Sequence, residues 1–129
     1  MNPEYAREWI SKAEADRHVA QRCLEEAKSN PGQADIACFH AQQCAEKYIK
    51  TVLVVQNVVF SKIHDLFDLA KRMKELEEKL SPDDLDALNK YSVDSRYPGA
   101  FASYAEAEEA VKAMERVVSV CDPFLGEVK

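Results

Sequence analysis

Glycine is scarce, with three residues in 129, and the shortage argues against a sheet protein, whose tight turns draw on it. Long apolar runs are missing too. None is longer than Val52 to Val55, far short of the roughly 20 residues that cross a bilayer as a helix, and the N-terminus shows no signal-peptide hydrophobic region. A cytoplasmic protein without a membrane segment is expected. Cations are outnumbered, 17 Lys and Arg against 23 Asp and Glu for a net charge of −6. That balance excludes a surface that coats nucleic acid nonspecifically, because phosphate binding needs clustered Lys and Arg. A local basic pocket stays open. The four cysteines, Cys23, Cys38, Cys44 and Cys121, form no Cys-x-x-Cys, and in a reducing compartment they remain thiols suited to the core. His40 and Cys44 stand four apart on one helix face, a spacing able to hold a metal, but no second pair follows at zinc-site spacing. Neither a metal nor another cofactor is expected.

What the chain does contain is 47% hydrophobic and 31% charged residues, the makeup of a helical globular protein. At this length one domain, residues 1–129, can bury roughly two-thirds of the surface its unfolded chain exposes. Asn2-Pro3-Glu4 opens a first helix with a cap, a first-turn proline and an acid that suits the dipole. Ala6, Trp9, Ile10, Ala13, Ala20, Cys23, Leu24 and Ala27 then recur at helical spacing, interrupted at Asp16 and Arg17. Ser29-Asn30-Pro31-Gly32 should stop it. A second helix is expected from about Ala34 to Gln56, with Ala37, Ala41, Cys44, Ala45, Tyr48, Val52 and Leu53 inward. Its end is ambiguous, since the valines flanking Gln56-Asn57 mimic a hairpin, although that turn lacks the favoured glycine.

Ser61 is a candidate cap for a third helix carrying Leu66, Leu69, Ala70, Met73, Leu76 and Leu80. Ser81-Pro82-Asp83-Asp84 starts a short fourth helix with Leu85, Leu88 and Tyr91 inward. Ser103-Tyr104-Ala105-Glu106 is a capping box before Ala107, Ala110, Val111, Met114, Val117, Val118 and Cys121. Short connections favour antiparallel neighbours. The expected architecture is all-α, an up-and-down bundle of four main helices plus a short extra helix before the last.

Three clusters depart from plain amphipathic helix. On the second helix His40, Gln43, Lys47 and Lys50 step by three and four, so a titratable ring, an amide and two cations share one stripe. His64-Asp65 precedes the third helix, and Arg96-Tyr97-Pro98 lies in the long loop. Each has a plain alternative: His40 filling a packing position, Glu46 pairing with Lys50, His64 and Asp65 bonding a helix end, Arg96 capping a helix C-terminus and Tyr97 sealing the core. The functional alternative is an anion pocket. Arg96 offers a planar fork, Lys47 a point charge, His40 a donor and Tyr97 a flat face that Pro98 restrains.

Four blocks appear in order along almost the whole chain: Trp9-Ile10 with Ala13-Glu14-Ala15-Asp16, then Phe39 to Lys47, then Lys62 to Leu66, then Arg96-Tyr97-Pro98. Together they resemble the signature of HEPN domains, particularly those associated with a minimal nucleotidyltransferase. The resemblance implies a helical bundle, commonly a homodimer, associated with nucleotides or RNA and with a nucleotidyltransferase partner. Many HEPN ribonucleases carry an arginine followed, four to six residues later, by a histidine. After Arg96 the corresponding positions are Phe101, Ala102 and Ser103. Metal-independent RNA cleavage needs a group that exchanges protons near neutrality beside cations that stabilise developing charge, and Arg96 alone does not supply both. The expectation is therefore a noncatalytic HEPN protein, dimeric partner of a nucleotidyltransferase or nucleotide-binding module. Candidate ligand contacts are His40, Gln43, Lys47, His64, Asp65, Arg96 and Tyr97, and no catalytic residue is assigned. The alternatives are a metal-independent, toxin-like endoribonuclease, if His40 or His64 approaches Arg96, and a helical interaction module without a ligand.

Overall fold

A computed structural model describes residues 2–92 and 101–129. It is all-helical, as the periodicity predicts. The order is α1 (Pro3–Glu26), α2 (Gln33–Val55), α3 (Leu66–Ala70), α4 (Lys74–Lys79), α5 (Pro82–Asn89) and α6 (Tyr104–Leu125), then a 3-10 turn at Gly126–Val128. α2 is the central element, packed against α1 on one side and α6 on another, with α3 and α5 also touching it. α4 packs on α6. The largest wholly buried side chains include Tyr48, Ile49, Leu53, Leu66, Leu76, Leu88 and Met114. This core fastens α2 to its neighbours.

Helix ends follow local chemistry. The Asn2 side chain accepts the Glu4 N–H at 3.0 Å, with Pro3 in the first turn. Ser103 and Glu106 form both bonds of the capping box, each 3.0 Å long. The mimic of a hairpin at Gln56-Asn57 is a helix terminus. Asn57 adopts φ 57°, and the N–H groups of Val58 and Asn57 reach the Leu53 and Val54 carbonyls at 2.8 and 3.1 Å. That is the Schellman pattern, with asparagine where glycine more often stands because its side chain tolerates the left-handed region.

The third helix differs from the expectation in two respects. Its cap is Asp65, whose carboxylate accepts the Asp68 N–H at 3.1 Å; Ser61 lies upstream in a non-helical stretch. The helix is also two pieces, because Met73 turns extended (φ −140°, ψ 107°) and begins α4. The break lets Leu66, Leu69 and Ala70 pack toward α2 and α5 while Leu76 is buried where α4 meets α6. Ser81 occupies the cap position of α5, but its side chain makes no capping bond.

Candidate functional site

The interruption in the α1 stripe marks the place where α1 and α2 exchange charge. Ala13 and Ala20 are buried on either side of Asp16, so helical spacing turns the Asp16 carboxylate inward as well. Only 9% of Asp16 is exposed. One of its oxygens lies 2.8 Å from His40 Nδ1, and the other accepts from Lys47 Nζ. Two residues earlier, Glu14 accepts from the Tyr48 hydroxyl and also meets Arg17. Burial and the Glu14 bond push the Tyr48 hydroxyl pKa far above its ordinary value. Arg17 forks onto Glu115 of α6 at 3.1 and 2.5 Å, which holds its guanidinium more firmly protonated. Burial alone would raise Glu115, but the bonds from Arg17 and Gln21 bring its pKa below the usual range. Pairings of Asp16 with His40 and Lys47, and of Glu14 with Tyr48, set the two helices antiparallel.

A second cluster lies one turn further along α2. Glu46 is 4% exposed and Lys50 6%. Lys50 Nζ donates to Glu46 Oε2 at 2.9 Å, His64 Nδ1 lies 3.1 Å from that same oxygen, and Gln42 Nε2 donates to Oε1 at 3.1 Å. Gln43 Nε2 in turn donates to Gln42 Oε1 at 2.7 Å. Burying a carboxylate and an ammonium together is tolerable because both carboxylate oxygens are bonded and the ammonium, beyond its bond to Glu46, faces aromatic rings. Lys50 is also boxed by aromatic rings, with Nζ 5.7 Å from the Trp9 centroid and 5.8 Å from that of Phe60. This is cation–π geometry. Among the described residues no histidine, cysteine or carboxylate group is arranged to hold a metal ion. Cys44, the candidate partner of His40, is wholly buried, and desolvation drives its thiol pKa far up.

The HEPN domain family matches residues 6–123, from the first turn of α1 almost to the end of α6. The chain belongs to the HEPN family. A Methanocaldococcus jannaschii protein named "Putative toxin MJ1304" is 29% identical over 147 aligned residues, covering 98% of this chain and 92% of that protein. The crystal structure of ST0689, described as an archaeal HEPN homologue, matches with a TM-score of 0.65 at 25% identity, over 96% of this chain and 98% of the other. No helix among the described residues is long and apolar enough to cross a membrane.

Within this HEPN domain the sequence candidates separate. His40 and Lys47 meet on Asp16, while Gln43 and His64 join the Glu46 cluster. Asp65 serves the fold instead: Asn89 Nδ2 donates to it at 3.0 Å, and the Asn89 carbonyl oxygen accepts the Leu66 N–H at 2.9 Å. The Asn89 bond holds the Asp65 pKa below its ordinary value, partly countered by desolvation, with the Asp68 N–H adding to the lowering. Arg96 and Tyr97, and with them their part of the expected anion pocket, lie outside the described residues. Sequence reasoning missed Asp16 and Glu46 as hubs. For Asp16 a signal was present, a charge at helical spacing between the inward Ala13 and Ala20. For Glu46 the i,i+4 pairing with Lys50 was visible, but its burial was not.

Proposed function

We propose that this HEPN domain is the noncatalytic binding component of a toxin-type pair. In this proposal it is a homodimer that holds a nucleotide or RNA phosphate on the α1–α2 seam and associates with a nucleotidyltransferase. The charge balance of the seam carries the proposal. Asp16 serves His40 and Lys47 together, and Glu46 serves Lys50 and His64. In these two clusters each ammonium therefore has a carboxylate beside it, which leaves them no unpaired ammonium to stabilise a phosphorane-like transition state. What remains suits weak anion binding: two further protons on Lys47 and the outer nitrogen of His40. The name of the M. jannaschii relative supports the toxin class, and the family resemblance supports the dimer and the partner.

Purified protein is expected to leave RNA intact in a metal-free assay and to bind a nucleotide weakly and salt-sensitively in calorimetry at two ionic strengths. Lys47→Ala should abolish the heat. Sedimentation at micromolar concentration should show a dimer, and a monomer there would remove that part of the proposal. A metal-independent endoribonuclease is the alternative, favoured by one feature: Asp16 holds His40 through Nδ1, and among the described residues nothing bonds Nε2, the nitrogen that proton transfer would use. RNA cleavage that disappears in both His40→Ala and Asp16→Asn, with folding intact, would establish the enzyme.

A further inference from the structure

On the N-terminal half of α1, Tyr5, Glu8, Trp9 and Lys12 step by three and four along one face. With Lys47 of α2 they line an open cleft of about 330 Å³, at the small end of the range for ligand sites. Trp9 is fixed there. Tyr5 and Phe60 meet it edge-on with centroids 6.3 Å away at 86° and 70°, and the buried Lys50 ammonium lies 5.7 Å from its centroid. Tyr5 is 50% exposed, and Glu8 and Lys12 are exposed as well. Among the described residues no side-chain hydrogen bond or ion pair engages Tyr5, Glu8 or Lys12.

We propose that this cleft seats one single-stranded nucleotide, its base against Trp9 and Tyr5, its phosphate between Lys12 and Lys47, and its exocyclic amine donating to Glu8. The proposal rests on the nucleotide-binding function above and gives it a location and a preference. The flat face of Trp9 takes any base by stacking, and Tyr5, whose ring stands at 86° to it, borders the base edge-on. The two ammonium groups place the phosphate, and Lys47 retains protons for it beyond the one it gives Asp16. An ionised Glu8 only accepts hydrogen bonds. It therefore favours adenine, cytosine and guanine, which carry an amine, over uracil, whose corresponding edge presents a carbonyl oxygen. The carboxylate also repels phosphate, which orients the ligand with its base toward Glu8 and its charge toward the lysines.

Trp9 is the single tryptophan of the chain, so its emission reports this cleft alone. Intact protein is titrated with adenosine, cytidine and uridine 5′-monophosphates and with inorganic phosphate, following Trp9 fluorescence after inner-filter correction and calorimetric heat in parallel. Saturable quenching is expected with the adenosine and cytidine nucleotides, several-fold weaker with the uridine nucleotide, and absent with phosphate. Lys12→Ala should weaken binding about fivefold, and Glu8→Gln should erase the preference between bases; circular dichroism verifies that both exposed-site variants fold. Heat from a nucleotide without any change in Trp9 emission would overturn the seat and leave the proposed function standing. Neither heat nor quenching at millimolar nucleotide would remove both. Equal binding of uridine and adenosine nucleotides, or quenching untouched by Lys12→Ala, would also overturn the assignment.

Discussion

Helices α2 and α6 are nearly equal in length, 23 and 22 residues, yet they are buried in different ways. Every buried residue of α6 is apolar, from Ala107 to Leu125. α2 buries Asp35, Gln42, Glu46, Lys50 and Thr51 alongside its alanines, cysteines and aliphatic residues. α6 covers the bundle from one side and needs only an apolar stripe. α2 is enclosed on several sides, and its buried polar groups pair partly along the helix, Gln42 and Lys50 on Glu46 and Thr51 on the Lys47 carbonyl, and partly with the chain around it: Ala102 N–H for Asp35 at 2.5 Å and His64 for Glu46. Replacing a buried ion pair by apolar residues is often neutral or stabilising, whereas removing one partner is costly. α6 is thus composed for stability, while the charges of α2 carry a cost that stability alone does not require.

The sharpest way to break that contrast is Glu46→Ala, which strands Lys50 and should cost about 3 to 5 kcal/mol in urea denaturation. The double variant Glu46→Leu with Lys50→Met should recover most of that loss, short of the bond that the buried Gln42 amide gives Glu46; failure to recover would mean that the pair is structural after all. On α6, Met114→Ala should cost about 3 kcal/mol through an unfilled cavity, with no shift in the pH dependence of unfolding. Ser103→Ala removes half of the α6 capping box and should cost about 1 kcal/mol, read as a lowered Tm. The smallest effect concerns Asp65. Its folded-state pKa is depressed, so its contribution is present above the unfolded carboxylate value and fades as pH falls from there through the lower folded value. Asp65→Asn should flatten that acid limb, measured as Tm against pH.

The three long helices were legible because caps, proline placement and apolar spacing agree at each of them. Leu66, Leu69, Ala70, Met73, Leu76 and Leu80 kept helical spacing across a break that the structure places at Met73, and Lys71-Arg72 holds neither glycine nor proline to announce it. There tertiary packing overrode a continuous pattern. For the site, helical geometry alone put His40, Gln43, Lys47 and Lys50 on one stripe. The one carboxylate that holds His40 and Lys47, Asp16, comes from 24 and 31 residues away, and pairing at that separation leaves no local trace. Gln56-Asn57 was ambiguous because asparagine suits both a hairpin turn and a left-handed helix end; the backbone bonds to Leu53 and Val54 decide it.

The division of the third helix bears on how the molecule opens. α3 has five residues and α4 six, well below the roughly 12 to 15 that sustain a helix in isolation. Their amide protons are shielded only while Leu66, Leu69 and Leu76 stay docked and Asp65 keeps its bond to Asn89. In native-state hydrogen exchange, residues 66–79 should therefore exchange together by a sub-global opening, ahead of α1, α2 and α6, whose slowest amides await full unfolding. Because His64 enters α3 directly, each such opening would also release its ring from Glu46. The rate at which one short helix undocks would then govern how often the buried carboxylate meets water.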